Sequence, residues 1–164
     1  DYGTQNATVF LLWNKGMDGI WYCTREYYYS GRDKGKQKTD SEYADDLDKW
    51  LEGTKTKAII VDPAAASFIA ELQKRGYKVI KAKNEVEDGI RVVGTLLNQD
   101  KIKFSESCVN TRKEFASYIW DAKAAEHGED KPVKQFDHAM DAVRYFCYTI
   151  LARQSKLNKV RGGI

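Results

Sequence analysis

Only two prolines and three cysteines occur among the 164 residues, and nowhere does an apolar run approach the roughly 18 residues that cross a bilayer. Cys23, Cys108 and Cys147 are odd in number, far apart and without metal-ligand spacing. They therefore exclude a disulfide framework and a structural zinc site, and they read as ordinary buried thiols of a reducing compartment. No positively charged and then apolar opening marks a secretory signal, so the expectation is an intracellular protein with no membrane partner. A strong charge imbalance is also missing. The 27 Lys and Arg against 24 Asp and Glu leave +3 and a pI near 8.6, below the value of about 9 that marks an obvious nucleic-acid binder. Two catalytic signatures are absent as well. "GRDKGKQKT" has three residues between its glycines where a phosphate-binding loop needs four, and Gln37 follows Lys36 in place of Ser or Thr. No Gly-x-Ser-x-Gly elbow points to a serine hydrolase.

What is present has the length of one domain with a real core. Residues 7–13 are dense in strand formers, and 19–29 repeat that character after the turn at 14–18, which predicts a β-hairpin. The Gly- and Lys-rich stretch 30–40 reads as a loop. Thr39 and Glu42 have the spacing of a capping box, and a helix follows through Leu47 and Leu51 to its stop at Gly53. The apolar run 58–61 predicts a strand buried on both faces, ending at Asp62-Pro63. A helix over 64–75 with Gly76 as its stop and a strand over 77–81 complete a parallel β-α-β unit. Further on, the pattern predicts a helix over 86–98 using Ile90, Val93 and Leu97, and a short edge strand over 101–104. Thr111 and Glu114 form a second capping-box spacing, opening a helix with Phe115 and Tyr118. The segment 120–136, interrupted by Pro132, reads as a loop, and a last helix begins at Asp137 and runs to about Arg153. The fold class is α/β: a mixed sheet, antiparallel hairpin plus parallel strands, flanked by helices.

Three carboxylates stand at telling places: Asp1 before the hairpin, Asp62 at the end of the parallel strand, and Asp141 one turn inside the last helix. Open α/β sheets hold ligands at the carboxyl ends of their strands. Clustered anions repel by on the order of 4 kcal/mol per pair at ~4 Å in an effective dielectric of ~20, so such a cluster calls for cations. All-oxygen donors suit magnesium or manganese, and two such ions about 3.5–4 Å apart can hold both oxygens of an in-line phosphodiester displacement. On a helix His138 shares a face with Asp141, and Asp137 is a natural N-cap. Taken singly, each of these residues has an ordinary structural explanation. An acidic opening of this kind is also used by actin-like ATPases, but those need two related domains.

In combination the motifs resemble a known family. "DYGTQNATVFLLW", "IIVDPAAASFIAELQKRGYKVIKAKNEVEDGIRVV" and "VKQFDHAMDAVRYF" stand in the order found in the C-terminal nuclease domain of the terminase large subunit of tailed phages. The resemblance covers nearly the whole chain, and the Asp137 to Tyr145 string is its most specific part. It implies a ribonuclease H-like fold, Asp1, Asp62 and Asp141 as metal ligands for two magnesium or manganese ions, and His138 as an accessory ligand or proton carrier, with Asp137 an accessory acid. It further implies a metal-dependent endonuclease that cuts concatemeric double-stranded DNA during packaging. Its partners would be an ATPase domain in cis, the terminase small subunit and the portal protein, in the cytoplasm of the host cell. The family's first strand lies before its aspartate and no Met opens this chain, so residues 1–164 are expected to be one nuclease domain excised from a longer protein, with 1–152 as core and 153–164 as a basic tail. Basic residues expected to meet the DNA backbone are Arg32, Lys34, Lys36, Lys38, Lys81, Lys83 and Lys134. Two alternatives remain open: another ribonuclease H-like nuclease such as a junction resolvase, and a non-catalytic domain that docks DNA or a partner.

Overall fold

A computed structural model describes residues 1–3, 6–117 and 137–152. The hairpin forms as the sequence suggests. Strand β1 (Ala7–Lys15) pairs antiparallel with β2 (Trp21–Ser30), from Ala7 opposite Ser30 to Lys15 opposite Trp21. The alternation of side chains along β1 assigns its two faces. Ala7, Val9, Leu11 and Trp13 pack in one core with the last helix, while Phe10 and Leu12 pack in another with two helices on the opposite side.

After β2 the stretch expected to be a loop contains a short helix, α1 (Gly31–Lys34), because Ser30 accepts from the Asp33 amide and Gly35 closes the turn at φ 64°. Helix α2 (Asp40–Trp50) starts from the full capping box of Thr39 and Glu42. Strand β3 (Ile59–Val61), helix α3 (Ala66–Lys74) and strand β4 (Val79–Lys81) make the parallel β-α-β unit. Helix α4 (Val86–Asn98) follows, then β5 (Ile102–Phe104), which runs parallel to β2 at its outer side. Val92, Val93 and Leu96 turn α4 toward the core, whereas Leu97 is exposed.

Helix α5 (Val109–Ser117) begins before Thr111, so the second capping-box spacing does not act as one. Glu26 of β2 reaches across instead, accepting from the Asn110 amide at 2.9 Å and the Thr111 amide at 2.6 Å. A tertiary carboxylate has taken the place of the local cap. Helix α6 (His138–Phe146) continues into a π-helical turn (Cys147–Leu151). Its core face is held in part by Phe146, stacked on Trp13 with ring centroids 4.5 Å apart.

The α/β class is as expected, an antiparallel hairpin and parallel pairs flanked by helices; among the described residues the strands are hydrogen-bonded as two sheets, ordered β1-β2-β5 and β3-β4. Between them lies a cavity of about 730 Å³ lined by residues 9–15 and 54–62. The lining is continuous along both segments, so each strand turns its margin, not one face, to the cavity. That is also why Ile59 and Ile60 are only half-buried in a strand expected to be covered on both sides. The three cysteines are buried and free.

Candidate active site

The three acids sit on three different elements. Asp1 is fixed beside β1 by two backbone hydrogen bonds with Val9, one in each direction and each 2.9 Å. Asp62 follows the last residue of β3, where its Oδ1 accepts from the Ala64 amide at 2.8 Å in the turn that leads to α3. Asp141 lies in the first turn of α6, where a helix N-terminus favours negative charge. All three are half-buried. Asp62 and Asp141 share one electrostatic neighbourhood: burial raises the Tyr145 hydroxyl, with its hydrogen bond to Asp62 and the charges of Asp141 and Asp62 adding to the rise.

One helix supplies a partner to each acid. His138 Nδ1 stands 3.1 Å from Asp1 Oδ2. Arg144 donates from Nη2 to Asp141 Oδ1 at 2.7 Å. Tyr145 donates its hydroxyl to Asp62 Oδ2 at 2.5 Å. His138, Asp141 and Tyr145 recur every three to four positions and fall on one side of α6, and Arg144, next to Tyr145, reaches the acid three residues before it. As donors the acids suit a hard divalent cation, because they offer carboxylate oxygen. Their arrangement is not that of a preformed ion site: among the described residues no three His, Cys, Asp or Glu are grouped closely enough to hold an ion.

Sequence reasoning missed Arg144, Tyr145 and Glu114. The first two were legible as residues three and four beyond Asp141 on the same helix. Glu114 left no local signal. Its Oε2 accepts from the amides of Ala139, at 2.7 Å, and Met140, at 3.2 Å, while its Oε1 accepts from the Tyr28 hydroxyl at 2.9 Å. Asp137, expected as the cap of the last helix, occupies the N-cap position but makes no side-chain capping bond. Glu114, 4% exposed, satisfies the helix start instead.

Burial pushes the Glu114 carboxyl above its ordinary 4.5, and the hydrogen bonds from Tyr28, Met140 and Ala139 pull the other way without cancelling it. An acid whose folded value is raised contributes stability that is complete below 4.5 and is lost as pH rises through the folded value. The stability of the parent relative to Glu114→Gln is therefore expected to fall as pH climbs from 4.5 toward 7, measured by urea unfolding of both proteins. A constant difference would mean that Glu114 titrates normally.

The basic residues divide. Lys38 is ion-paired with Asp46 and lies 4.2 Å from the Tyr29 ring centroid, and Lys36 pairs with Glu42 at 3.2 Å, so both serve α2. Arg32, Lys34 and Lys81 are exposed, and half-buried Lys83 lies over the Tyr148 ring. Lys134 and the basic tail fall outside the described residues. Tyr27, Tyr28 and Tyr29 are structural: the Tyr27 ring stacks on Phe10, and the three hydroxyls go to Asp46, Glu114 and the Lys36 carbonyl. No helix among the described residues is long and apolar enough to cross a membrane.

Comparison with known proteins gives a consistent picture. Residues 9–148 match the model of the family described as the terminase RNaseH-like domain. The chain is 29% identical over 133 residues to the terminase large subunit of Escherichia phage T5. It superposes on the large terminase of a thermophilic bacteriophage with a TM-score of 0.90 and 57% identity, over 92% of its own length. The nuclease domain of the P22 large terminase shares the fold, with a TM-score of 0.68 at 20% identity, covering 92% of this chain and 78% of that one. The T5 match takes in 79% of this chain but only 30% of the T5 protein, and the superposition takes in 39% of the thermophilic phage's protein, so the chain spans about a third of these relatives.

Proposed function

The chain belongs to the terminase ribonuclease H-like domain family, and from that premise we propose that it is a metal-dependent endonuclease that hydrolyses phosphodiester bonds of concatemeric double-stranded viral DNA during genome packaging. The observation that supports this reading is that Asp1, Asp62 and Asp141, from three elements, each contact a side chain of the one helix α6: His138, Tyr145 and Arg144 in turn. Asp1, Asp62 and Asp141 would hold two magnesium or manganese ions. Bound there, the ions supply Lewis acidity that activates water and offsets charge on the departing 3′ oxygen. The chain's own residues do the rest. Tyr145 orients Asp62, Arg144 orients Asp141, and His138, in contact with Asp1, is placed to hold that carboxylate or to carry a proton. Asp137, within 3.9 Å of His138, is an accessory acid.

Exposed Arg32, Lys34 and Lys81, together with Lys83, are the residues assigned to the DNA backbone, which makes binding salt-sensitive and tolerant of sequence. In the packaging machine the domain would act beside an ATPase domain in cis and meet the small subunit and the portal protein, in the host cytoplasm. A second reading, a docking domain whose acids are structural, is favoured by the Arg144–Asp141 ion pair, which balances that acid without a cation. One experiment separates the two. Supercoiled plasmid is expected to be nicked and linearised with manganese or magnesium and left intact with chelator, and manganese is expected to raise the melting temperature. Intact plasmid together with an unmoved melting temperature would leave the docking domain.

A further inference from the structure

Gly89 lies inside α4, where glycine weakens a helix relative to alanine. Its backbone is not in the left-handed region, so conformation does not require it. Space does. A Cβ at residue 89 would come within 2.4 Å of Arg144 Cγ and 2.6 Å of Arg144 Cδ. The arginine stem passes through this notch between α4 and α6, and its side chain is 5% exposed. At its end the guanidinium reaches two places at once. Nη2 donates to Asp141 Oδ1 at 2.7 Å, while Nη1 donates to the Asn84 carbonyl at 2.6 Å and approaches the Glu85 carbonyl at 3.3 Å. Asn84 in turn places its side-chain amide 3.5 Å from Asp62 Oδ1. A planar fork of fixed geometry can span such a pair of acceptors, which a lysine ammonium on a flexible stem does not.

We propose that Arg144 is a positioning residue that locks the Asp141 carboxylate to the loop beside Asp62, and that Gly89 is kept as glycine to let it through. The inference rests on the cation-binding reading given above. It is tested by manganese binding, measured calorimetrically on the full chain as it occurs, with thermal unfolding recorded alongside. Gly89→Ala and Arg144→Lys both retain the positive charge, so any change reports geometry. Each is expected to weaken manganese binding at least tenfold. In an Arg144→Ala background Gly89→Ala is expected to change nothing, since no stem is left for the new methyl to meet. Unchanged binding in Arg144→Lys, or an equal effect of Gly89→Ala in both backgrounds, would overturn the inference while leaving the nuclease reading intact. If the parent chain binds no manganese at all, both fall together.

Discussion

Asp62→Asn is expected to lower metal-dependent plasmid cleavage by about 10³-fold, the scale seen when one electrostatic group is removed from a reaction centre. The substitution is chosen because it leaves the local structure little reason to change. Asparagine keeps an oxygen for the Ala64 amide, and its NH₂ can donate to the Tyr145 hydroxyl in place of the acceptor that Asp62 Oδ2 provides. What disappears is the charge. Stability should therefore stay within about 1 kcal/mol of the parent, while the manganese-induced rise in melting temperature shrinks. Full cleavage by a well-folded variant would remove Asp62 from the proposed site.

The second large effect falls on folding. Glu114→Ala strips the acceptor from three donors, the Tyr28 hydroxyl and the amides of Ala139 and Met140. A buried donor left unsatisfied costs about 1–3 kcal/mol, and water entering the small void recovers part of the sum, so a loss of about 3 kcal/mol is expected. Urea unfolding measures it. The consequence reaches the site, because Glu114 ties β2 to the first turn of the helix that carries His138 and Asp141. A loss below about 1 kcal/mol would show that the start of α6 is satisfied by water as readily as by Glu114.

These two residues also mark what the sequence makes legible. Asp62 is visible because it ends a short apolar run and precedes a proline, a pattern written in six consecutive residues. The Thr39 capping box is visible for the same reason: donor and acceptor lie three residues apart. Glu114 has the same spacing from Thr111 and reads the same way, yet its carboxylate serves a different helix, while the amides it was expected to accompany are met by Glu26, 84 and 85 residues away. Spacing cannot reveal a partner of that kind. Asp137 fails as a cap for the matching reason, since the helix start already has an acceptor from elsewhere. The division of the strands into two sheets is equally hidden, because periodicity reports which residues face a core and not which strand margins meet.

The lysines around the cavity between those two sheets have a consequence in solution. Lys15, Lys55, Lys57 and Lys78 line it together with Asp1 and Asp62, so positive charge stands beside two acids of the site. A field of that sign draws anions toward the opening. Its reach is set by the salt, fading beyond about 10 Å at 0.1 M.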